Sequence, residues 1–582
     1  MFRGRRIAMA QNSTTTDRHS LIFRTKPTVY PLILIIWVIL MIFYEWYVFK
    51  DSYHPIWESK IRWDILLVLV NQIFVGLFFF YGIGNLVFAF RYRHIKKREA
   101  QAEQRVLKMP LPDDWRPKVQ LLYTTYNDFI PYALQQCMEQ NYENTETVIL
   151  DNSNNPEYIA MVDQFVKNHP GVKLVRDSNN KHAKAGNLNN YLNGVGKGTY
   201  DYFVILDSDE LLEEHFVEKC LKMFYYSDIG ILQCNHVSGQ NHNAFMKTFS
   251  RSGNIFWPVQ NVVRSAESGW YQQPDTMKRN ASEVQVVHKG GTLCFELGHG
   301  VMISKACFES IGSIPHMVAE DLCTSVEALS RGWNIKFASQ IYGNEAFPVT
   351  LTALVVRAQK FCGANLEFLR VYHKRLFHSK ALSFYQKLDI LSFTLSAPIG
   401  AFQYLSLILT GVVFPVMHLP MISQFDFLIP AMICYASQAL VDTIFQLMRG
   451  VKIWSVVLYE IQSAIVYGSY YFVLVMTTIF SLLKRPAKFV VTPKTHGKIT
   501  WAYALHAHYR SIIFSVITIV VCWHFSDSPW ILLTFLPGCI GFLFELQANF
   551  QTKETKATNA LLRRESKLAL VGDRNYRLDW RA

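Results

Sequence analysis

The sequence YFVILDSD, residues 202–209, decides the fold of the central part of the chain. Its first five residues form a short apolar run that is typical of a buried strand, and Asp207-Ser208-Asp209 follows directly. An Asp-x-Asp pair at a strand end offers hard oxygen ligands to Mg²⁺ or Mn²⁺, which also bind phosphate oxygens. In isolation, the same three residues would more often form an ordinary turn. The chemical interpretation gains weight because this run is the last of a series.

The series consists of short apolar runs separated by polar stretches with helical character. The earlier runs are Val119–Tyr123, Thr147–Leu150 and Val172–Val175, and the helical stretches include Pro131–Gln140 and Pro156–Asn168. This alternation of strand and helix predicts a mostly parallel sheet with helices on both faces. Ligands of such sheets bind at the carboxyl ends of the strands. We therefore look for function in the residues that follow each strand.

Two strand ends and one connection carry candidate ligands. Asp151 follows the second run as Asp207 follows the fourth, and Lys184 lies in HAKAGNLN, residues 182–189. A lysine at this place can contact a diphosphate as a point charge, and Gly186 allows close backbone approach before a helix N-terminus that favours an anion. Neither GxxxxGK[ST] nor GxGxxG follows the first strand, which disfavours a P-loop nucleotidase and an NAD-type dehydrogenase.

The flanking regions predict a membrane protein. Half of the residues are apolar and 18% are charged, whereas about 25% are charged in a typical soluble protein. Runs long enough to cross a bilayer, about 20 residues, lie at Tyr30–Phe49, Asp64–Phe90, 395–417, 427–446, 508–525 and 529–546. Loops without Lys or Arg, Val416–Asp426 and Ser526–Ser528, are expected outside. The basic N-terminus, the cluster Arg91–Arg98 and the basic tail are expected in the cytosol, together with the central region.

The segment Ile453–Leu483 is also apolar enough to span a membrane. A single crossing would place the basic stretch Lys484–Lys498 outside the cell, against the positive-inside rule. We therefore interpret it as a helix at the cytoplasmic interface, with a true span as the alternative.

Charge and cysteine content argue against three other classes of protein. The net charge is +13, but the basic clusters border the apolar runs and are therefore expected to face lipid headgroups, so no nucleic-acid partner is expected. The ten cysteines include no CxxC pair, which excludes a disulfide-dense secreted module and a zinc ribbon.

Four motifs in order resemble one enzyme family. HAKAGNLN (182–189), DSD (207–209), the pair Glu320-Asp321 and FVVTPK (489–494) resemble the membrane-embedded, processive family-2 glycosyltransferases of the cellulose synthase superfamily. The similarity is closest to bacterial cellulose and β-glucan synthase catalytic subunits, and it covers roughly residues 115–500 with the flanking spans. It implies an α/β GT-A-type glycosyltransferase domain inserted in a helical transmembrane bundle of about six spans plus interfacial helices.

The resemblance also implies roles for individual residues. Asp321 would be the catalytic base, and Asp207 and Asp209 would bind Mg²⁺ or Mn²⁺. The implied donor and nucleotide contacts are Thr125, Tyr126, Asp151, Lys184, Asp207, Lys360, Thr492 and Lys494. The implied acceptor contacts are Phe361, His299 and Glu320.

Two motifs depart from the family pattern. Asp151 keeps only the first residue of Asp-Asp-Gly, and residues 357–361 replace Gln-x-x-Arg-Trp. In the preferred register Lys360 stands for the arginine and Phe361 for the tryptophan, which keeps a charge and an aromatic face but loses the guanidinium fork. A rival register uses Gln359 as the glutamine of the motif and loses both.

The expected function is an inverting, processive glycosyltransferase that makes a β-linked polysaccharide, with β-glucan from UDP-glucose as the leading case, and exports it through its own pore. The alternatives are a non-processive transferase that adds one or a few sugars to a lipid or glycan, and a non-catalytic channel or scaffold. The expected partners are a UDP-sugar, the growing polysaccharide, the lipid bilayer and accessory export or periplasmic subunits. Polar positions inside the apolar runs, such as Asn71, Ser437 and Asp442, would line the pore or join helices.

The expected location is the plasma (inner) membrane, with several spans and a cytosolic catalytic domain. The expected divisions are a cytosolic segment 1–29, spans one and two in 30–90, the glycosyltransferase domain 91–362, interfacial helices 363–394, spans three and four in 395–446, an interfacial helix and gating loop 447–507, spans five and six in 508–546, and a basic tail 547–582.

Overall fold

The computed structural model describes residues 28–48, 62–177, 182–238, 241–268, 291–417, 424–487, 490–494, 496–525 and 530–552. Most of the predicted N-terminal segment and basic tail, together with Phe489, lies outside the described residues.

The central region contains an eight-stranded mixed sheet. Its strands are β1 Val119–Thr125, β2 Thr145–Asp151, β3 Lys173–Arg176, β4 Tyr202–Leu206, β5 Leu211–Leu212, β6 Ile231–Val237, β7 Val301–Ser304 and β8 Ile335–Asn344. Their order is β3-β2-β1-β4-β7-β6-β8-β5. The four strands predicted from the sequence are confirmed, and their bounds move by no more than two residues.

The parallel half of the sheet is the half that the sequence predicts. β1 pairs in parallel with β2 and β4, and β2 with β3. Beyond β4 the sheet is mixed, because β7 runs antiparallel to both β4 and β6, β5 runs antiparallel to β8, and β6 and β8 are parallel. Four of the seven pairings are therefore parallel, and β4 marks the change from one half to the other.

Helices surround this sheet and continue into the apolar regions. They are α1 Val29–Val48, α2 Arg62–Lys108, α3 Pro131–Met138, α4 Pro156–Asn168, α5 Ala183–Asn193, α6 Phe216–Tyr226, α7 Ala244–Glu267, α8 Lys305–Ile311, α9 Glu320–Ser330, α10 Leu351–His378, α11 Phe384–Ser396, α12 Ile399–Ile408, α13 Phe414–Val416, α14 Gln424–Met448, α15 Ile453–Gly468, α16 Tyr471–Leu482, α17 Trp501–Phe525 and α18 Trp530–Ile540. A π-helical turn, Leu409–Val413, joins α12 to α13, and a 3₁₀ helix, Gly541–Asn549, continues α18.

Both faces of the sheet are buried, as the continuous apolar runs predict. Phe203 and Ile205 of β4 belong to one hydrophobic core with Leu188 of α5. Val204 and Leu206 belong to a second core with Phe216 of α6. Because successive side chains of a strand point to opposite faces, one run of apolar residues supplies both cores.

Within the described residues, six helical segments are long and apolar enough to cross a membrane: Val29–Val48, Ile65–Lys108, Ile399–Val416, Ile429–Met448, Ile453–Leu482 and Trp501–Phe525. Their number matches the prediction, but their identity differs at one place. The segment Ile453–Leu482 is included, although α15 and α16 are separate helices within it. The predicted span 529–546 is not included, because α18 has only eleven residues before the 3₁₀ helix begins.

Contacts with the central domain show how these last segments run. Arg449, just after α14, donates from Nη2 to the Asn254 carbonyl of α7 at 2.9 Å. Lys494, beyond α16, reaches Asp209 after β4 at 2.6 Å. The chain from 450 to 493 therefore leaves the domain and returns to it. A single crossing would separate these ends by about 30 Å, so the geometry favours the interfacial placement, which itself stays a prediction.

The C-terminal helices also return to the domain. Asn549 exchanges hydrogen bonds with the Ile499 backbone at 2.8 and 2.9 Å, and the Phe550 carbonyl accepts from the Ala244 amide of α7 at 2.8 Å. α18 and the 3₁₀ helix together extend about 34 Å, enough to cross the hydrocarbon region. α17 and this second limb thus form a hairpin, the shape that two successive crossings require.

Candidate active site

Parallel pairing brings the predicted ligands to one edge of the sheet. Thr125, the last residue of β1, is paired with Asp151, the last residue of β2. Leu206 of β4 is paired with Tyr123, so Asp207 follows at the same edge. The carboxyl ends of three adjacent strands therefore face one space, as the topology predicts.

Asp128, which the sequence reasoning missed, ties the first loop to the acidic triplet. Its Oδ1 accepts from Thr125 Oγ1 at 3.0 Å and from the Tyr126 amide at 2.9 Å. Its Oδ2 accepts from Ser208 Oγ at 2.6 Å. Burial raises the pKa of Asp128, and these hydrogen bonds oppose that effect. Thr125 and Tyr126 are thereby fixed beside Asp207-Ser208-Asp209.

Asp151 is fully buried, and both of its oxygens are engaged. Oδ1 accepts from the Ser153 amide at 2.8 Å, and Oδ2 accepts from Arg176 Nε at 2.8 Å. Arg176 lies at the end of β3 and also bonds Asp163 at 2.9 Å. The structure thus shows Asp151 shaping the loop after β2, with Arg176 as a partner that no sequence motif indicated.

Each aspartate of the triplet pairs with a lysine from a distant part of the chain. Lys184, at the start of α5, contacts Asp207 and donates to the Gly298 carbonyl at 2.7 Å. Lys494 Nζ lies 2.6 Å from Asp209 Oδ1. Burial raises the pKa of Asp207, but Lys184, His299 and Lys494 outweigh it and hold the pKa well below its usual range. Asp207 can therefore act as an anionic ligand.

The triplet fits the chemistry of a divalent cation. Asp207 and Asp209 are hard oxygen donors separated by one residue, and each already faces a positive charge from a lysine. Lys184 and Lys494, both predicted donor or nucleotide contacts, therefore lie at the triplet. Thr492 lies two residues before Lys494 and is half-buried.

A second acidic group lies at the start of α9. Glu320 and Asp321 are its first two residues, and a Cβ built on Gly298 would lie 3.9 Å from Asp321 Oδ2. The Gly298 amide also donates to Glu296 Oε2 at 3.1 Å. Since Gly298 in addition accepts from Lys184, this one glycine (φ +85°) joins Glu296, Asp321 and the lysine that holds Asp207.

Burial raises the pKa of each carboxyl group in this acidic group. Burial and the neighbouring Asp321 together raise the pKa of Glu320 to about 7, against the opposing charges of Lys184 and Lys360. Burial likewise raises the pKa of Asp321, against the Leu322 amide, Lys360 and Lys184. The pKa of Glu296, which the sequence reasoning missed, is raised well above its usual range by burial and by the two neighbouring acids.

The degenerate motif lies on α10, near the acidic pair. Lys360 Nζ is 5.9 Å from the centre of the Phe361 ring. The Phe361 side chain is 44% exposed. Lys360 also lowers the pKa of both Glu320 and Asp321, so its charge acts on that pair.

A cavity of about 280 Å³ lies between α5, the loop before α9, and α10. Lys184, Glu320 and Glu367 line it, together with His182 and His316, whose rings stack at 4.0 Å. The cavity therefore lies beside both the lysine that holds Asp207 and the acidic pair.

His299, a predicted acceptor contact, is turned into the protein. Nδ1 lies 2.5 Å from Glu210 Oε2, and Nε2 lies 3.3 Å from Glu345 Oε2. Its ring also stacks on His236 at 4.1 Å. Burial lowers the pKa of His299, but Glu210 and Asp207 outweigh it and raise the pKa well above its usual range. In this structure His299 therefore supports the segment that follows Asp209.

The site thus combines carboxylates and lysines at one edge of a mixed sheet, in a chain that also carries helices apolar enough to cross a membrane. Residues 117–361 match the family described as "Glycosyltransferase like family 2".

Proteins of known name are similar to part of this chain. Glucans biosynthesis glucosyltransferase H of Rhodopseudomonas palustris (strain ATCC BAA-98 / CGA009) is 21% identical over 321 residues, which are 51% of this chain and 40% of the relative. The protein of that name from Shewanella sp. (strain W3-18-1) is 22% identical over 376 residues, 60% of this chain and 46% of the relative. The chain thus spans less than half the length of these relatives.

Two solved structures are similar at low identity. The mannosyltransferase PcManGT from Pyrobaculum calidifontis, in complex with GDP-Man and Mn²⁺, is 17% identical with a TM-score of 0.41 and covers 71% of this chain and 99% of its own. S. aureus TarS is 13% identical with a TM-score of 0.31 and covers 59% of this chain and 55% of its own.

Proposed function

We propose that the protein is an inverting glycosyltransferase that extends a β-linked glucan from UDP-glucose. The observation that carries the proposal is the convergence on Gly298. The Gly298 carbonyl accepts a hydrogen bond from Lys184, which also contacts Asp207. Gly298 itself lies beside Asp321. Lys184, which would help to neutralise a leaving diphosphate, and Asp321, which would accept a proton, thus both lie close to Gly298.

The proposed reaction is a single displacement. The acceptor hydroxyl oxygen attacks the anomeric carbon, the bond from that carbon to the UDP oxygen breaks, and the hydroxyl proton passes to Asp321. The raised pKa of Asp321 favours this proton transfer, because a general base works best when its pKa is near the working pH. Glu320 and Phe361 would contact the acceptor, and His299 would support the loop behind Asp207.

The leaving UDP needs positive charge. Lys184 and Lys494 already lie at the aspartate triplet. Lys360, on α10, acts on the acidic pair at the start of α9. Asp207 and Asp209 would hold Mg²⁺ or Mn²⁺, which when bound neutralises the diphosphate. Thr125, Tyr126 and Asp151 would contact the nucleotide, with Asp128 and Arg176 fixing their loops. Thr492 would cover the site together with Lys494.

The glucan product is proposed from the names of the relatives, and export from the arrangement of the helices. We place the domain 91–362 in the cytosol of a plasma-membrane protein, flanked by the predicted spans, interfacial helices and gating loop. Several polar positions in the spans bond each other, for example Ser406 with Asn71 at 3.0 Å and Asn85 with Ser437 at 3.1 Å. These pairs support helix packing, so the pore proposal does not depend on them.

The decisive experiment measures UDP release and product from UDP-glucose with the full chain in detergent or vesicles. We expect Asp321→Asn to lower turnover by at least about 10³-fold, because the base and its charge are lost together. Asp113→Asn, at a fully exposed carboxylate, is the matched control and should keep wild-type activity. A wild-type rate in the Asp321→Asn variant would refute the assigned mechanism.

A non-processive transferase is the second candidate, and the replacement of Arg-Trp by Lys360-Phe361 favours it. Lysine loses the paired hydrogen bonds of a guanidinium, and phenylalanine offers a smaller stacking face. Product length distinguishes the two candidates. A long polymer at low enzyme-to-acceptor ratio supports processive extension, and a product lengthened by one or two sugars refutes it.

A further inference from the structure

A second cluster of metal-ligating side chains lies behind the aspartate triplet. Glu210 follows Asp209 directly, while Cys234 and His236 lie on β6. All three are buried, and their ligand atoms lie within 4.8 Å of one another. None of these three has a role in the reaction proposed above.

Two atoms of this cluster lack hydrogen bonds. Within the part of the chain that the structure describes, no hydrogen-bond partner reaches Glu210 Oε1 or His236 Nε2, although both are fully buried. Leaving such atoms unpaired is costly, so each calls for an explanation. The two atoms are 3.5 Å apart, which is long for an N–H···O hydrogen bond. It is close to the edge, about 3.3 Å, of a tetrahedron whose metal–ligand bonds are those of zinc with nitrogen and oxygen.

The surroundings fix the ligands from outside. His299 Nδ1, at 2.5 Å from Glu210 Oε2, holds the carboxylate so that Oε1 is the atom left facing His236. His299 is held in turn by Glu345 at 3.3 Å. Partners of this kind, which orient a ligand through its second polar atom, are the usual support of a metal site.

Two glycines keep side-chain atoms away from the cluster. A Cβ on Gly300 (φ +53°) would lie 2.6 Å from Cys234 Sγ and 2.9 Å from Glu210 Oε1, and closer still to His236 Nε2. A Cβ on Gly343 would lie 3.0 Å from Cys234 Sγ and closer to Glu210 Oε1. Any larger residue at either position would therefore collide with the ligand atoms.

We propose that Glu210, Cys234 and His236 bind a zinc ion, separate from the Mg²⁺ or Mn²⁺ proposed at Asp207 and Asp209. A thiolate, an imidazole and a carboxylate form a zinc donor set, whereas Mg²⁺ and Mn²⁺ prefer oxygen ligands. The ion would join the segment after β4 to β6 and hold the backbone directly behind Asp209. Its role is structural, and it does not depend on the sugar that the enzyme transfers.

The test is elemental analysis of the full-length protein, purified in detergent without a metal-affinity resin and dialysed against EDTA to remove weakly held ions. We expect about one zinc per chain in the wild type, since buried structural zinc is held tightly. Cys234→Ala and His236→Gln should lose it. Cys220→Ala removes an equally buried thiol on α6 and should retain it.

Cobalt substitution keeps the test decisive if the variants fail to fold. Wild-type and Cys220→Ala protein made in cobalt-supplemented medium should show a thiolate-to-cobalt charge-transfer band. Wild-type protein with no zinc and no such band would overturn the proposal, as would a Cys234→Ala variant with undiminished zinc. Catalytic activity is not a readout here, so failure of the proposed function would leave this result unaffected.

Discussion

Lys494 brings a positive charge to Asp209 from nearly three hundred residues away in the sequence. Its ammonium group lies 2.6 Å from Asp209 Oδ1, and Asp209, Asp207 and Asp128 raise the pKa of Lys494 against the effect of burial. The lysine is therefore charged, and its ammonium group occupies the space beside Asp209 that a bound cation would also need. Loop 490–494 and a divalent ion thus depend on the same carboxylate.

We expect Lys494→Met to lower turnover by about 10²-fold, because a charge near the leaving diphosphate is lost. The same change should lower the Mn²⁺ concentration that gives half-maximal activity, since the ammonium no longer competes for Asp209. UDP release measured over a Mn²⁺ titration tests both effects. Lys498→Met, at an exposed lysine four residues away, should change neither. An unchanged Mn²⁺ requirement in Lys494→Met would contradict the competition.

Lys360 should set the acidic limb of the pH profile. Its charge favours the ionised forms of Glu320 and Asp321 and so lowers the pKa of both. Because a base must be deprotonated to act, removing this charge raises the pH at which activity appears. We expect Lys360→Met to move the acidic limb of kcat/KM upward by about one pH unit. Lys374→Met, at an exposed lysine of the same helix, is the control, and a limb that stays in place would contradict this electrostatic role.

The sequence predicted the residues that form local motifs but missed several residues that act on them from elsewhere in the fold. Asp207, Asp209, Glu320 and Asp321 could be found because each lies at a strand end or helix start with recognisable neighbours. Glu296 could not, because its importance comes from Asp321 and Glu320 across the fold. Arg176 likewise gains its role only when β3 pairs beside β2.

At the scale of elements, a buried ion pair joins the apolar helices to the domain that matches the family-2 glycosyltransferases. Arg264 of α7 donates from Nε to Asp389 of α11 at 3.0 Å, and Tyr30 of α1 donates to the same carboxylate at 2.7 Å. The guanidinium carbon also lies 5.0 Å from the ring centre of Phe88 in α2. Four helices therefore meet at one charge pair.

Breaking this pair should destabilise the protein strongly. Asp389→Asn removes the charge that balances Arg264 and weakens the acceptor of Tyr30, so we expect a loss of about 3–5 kcal/mol in the free energy of unfolding. Thermal unfolding in detergent measures it. Asp113→Asn, at an exposed surface pair, should leave the Tm unchanged. A Tm for Asp389→Asn equal to that of the wild type would show that the pair does not hold these helices together.

The parallel half of the sheet could be predicted, and the antiparallel half could not. β1 to β4 alternate with helices, and that alternation indicates parallel pairing. β7 pairs with β4 and β6, but the long segment that contains α7 separates it from them in the sequence. β5 has just two residues. No local sequence pattern therefore indicates the pairing of β7 or of β5. The residues around Gly298 and Gly300 belong to this second half, which is why Glu296 and the cluster behind Asp209 escaped the sequence reasoning.

At the scale of the whole molecule, the contacts at Arg449 and Lys494 require that the chain between them begin and end beside the same domain. A cysteine at Lys452 and one at Arg485 should therefore react with a membrane-impermeant thiol reagent from the same side of sealed vesicles. A cysteine at Met417, at the end of the predicted third span, should react only from the other side. All three positions are exposed, and Cys539→Ala provides the background because the other cysteines in the described residues are buried. Labelling of the 452 and 485 positions from opposite sides would establish that Ile453–Leu482 crosses the membrane. It would then also exclude the approach of Lys494 to Asp209 on which the proposed donor site depends.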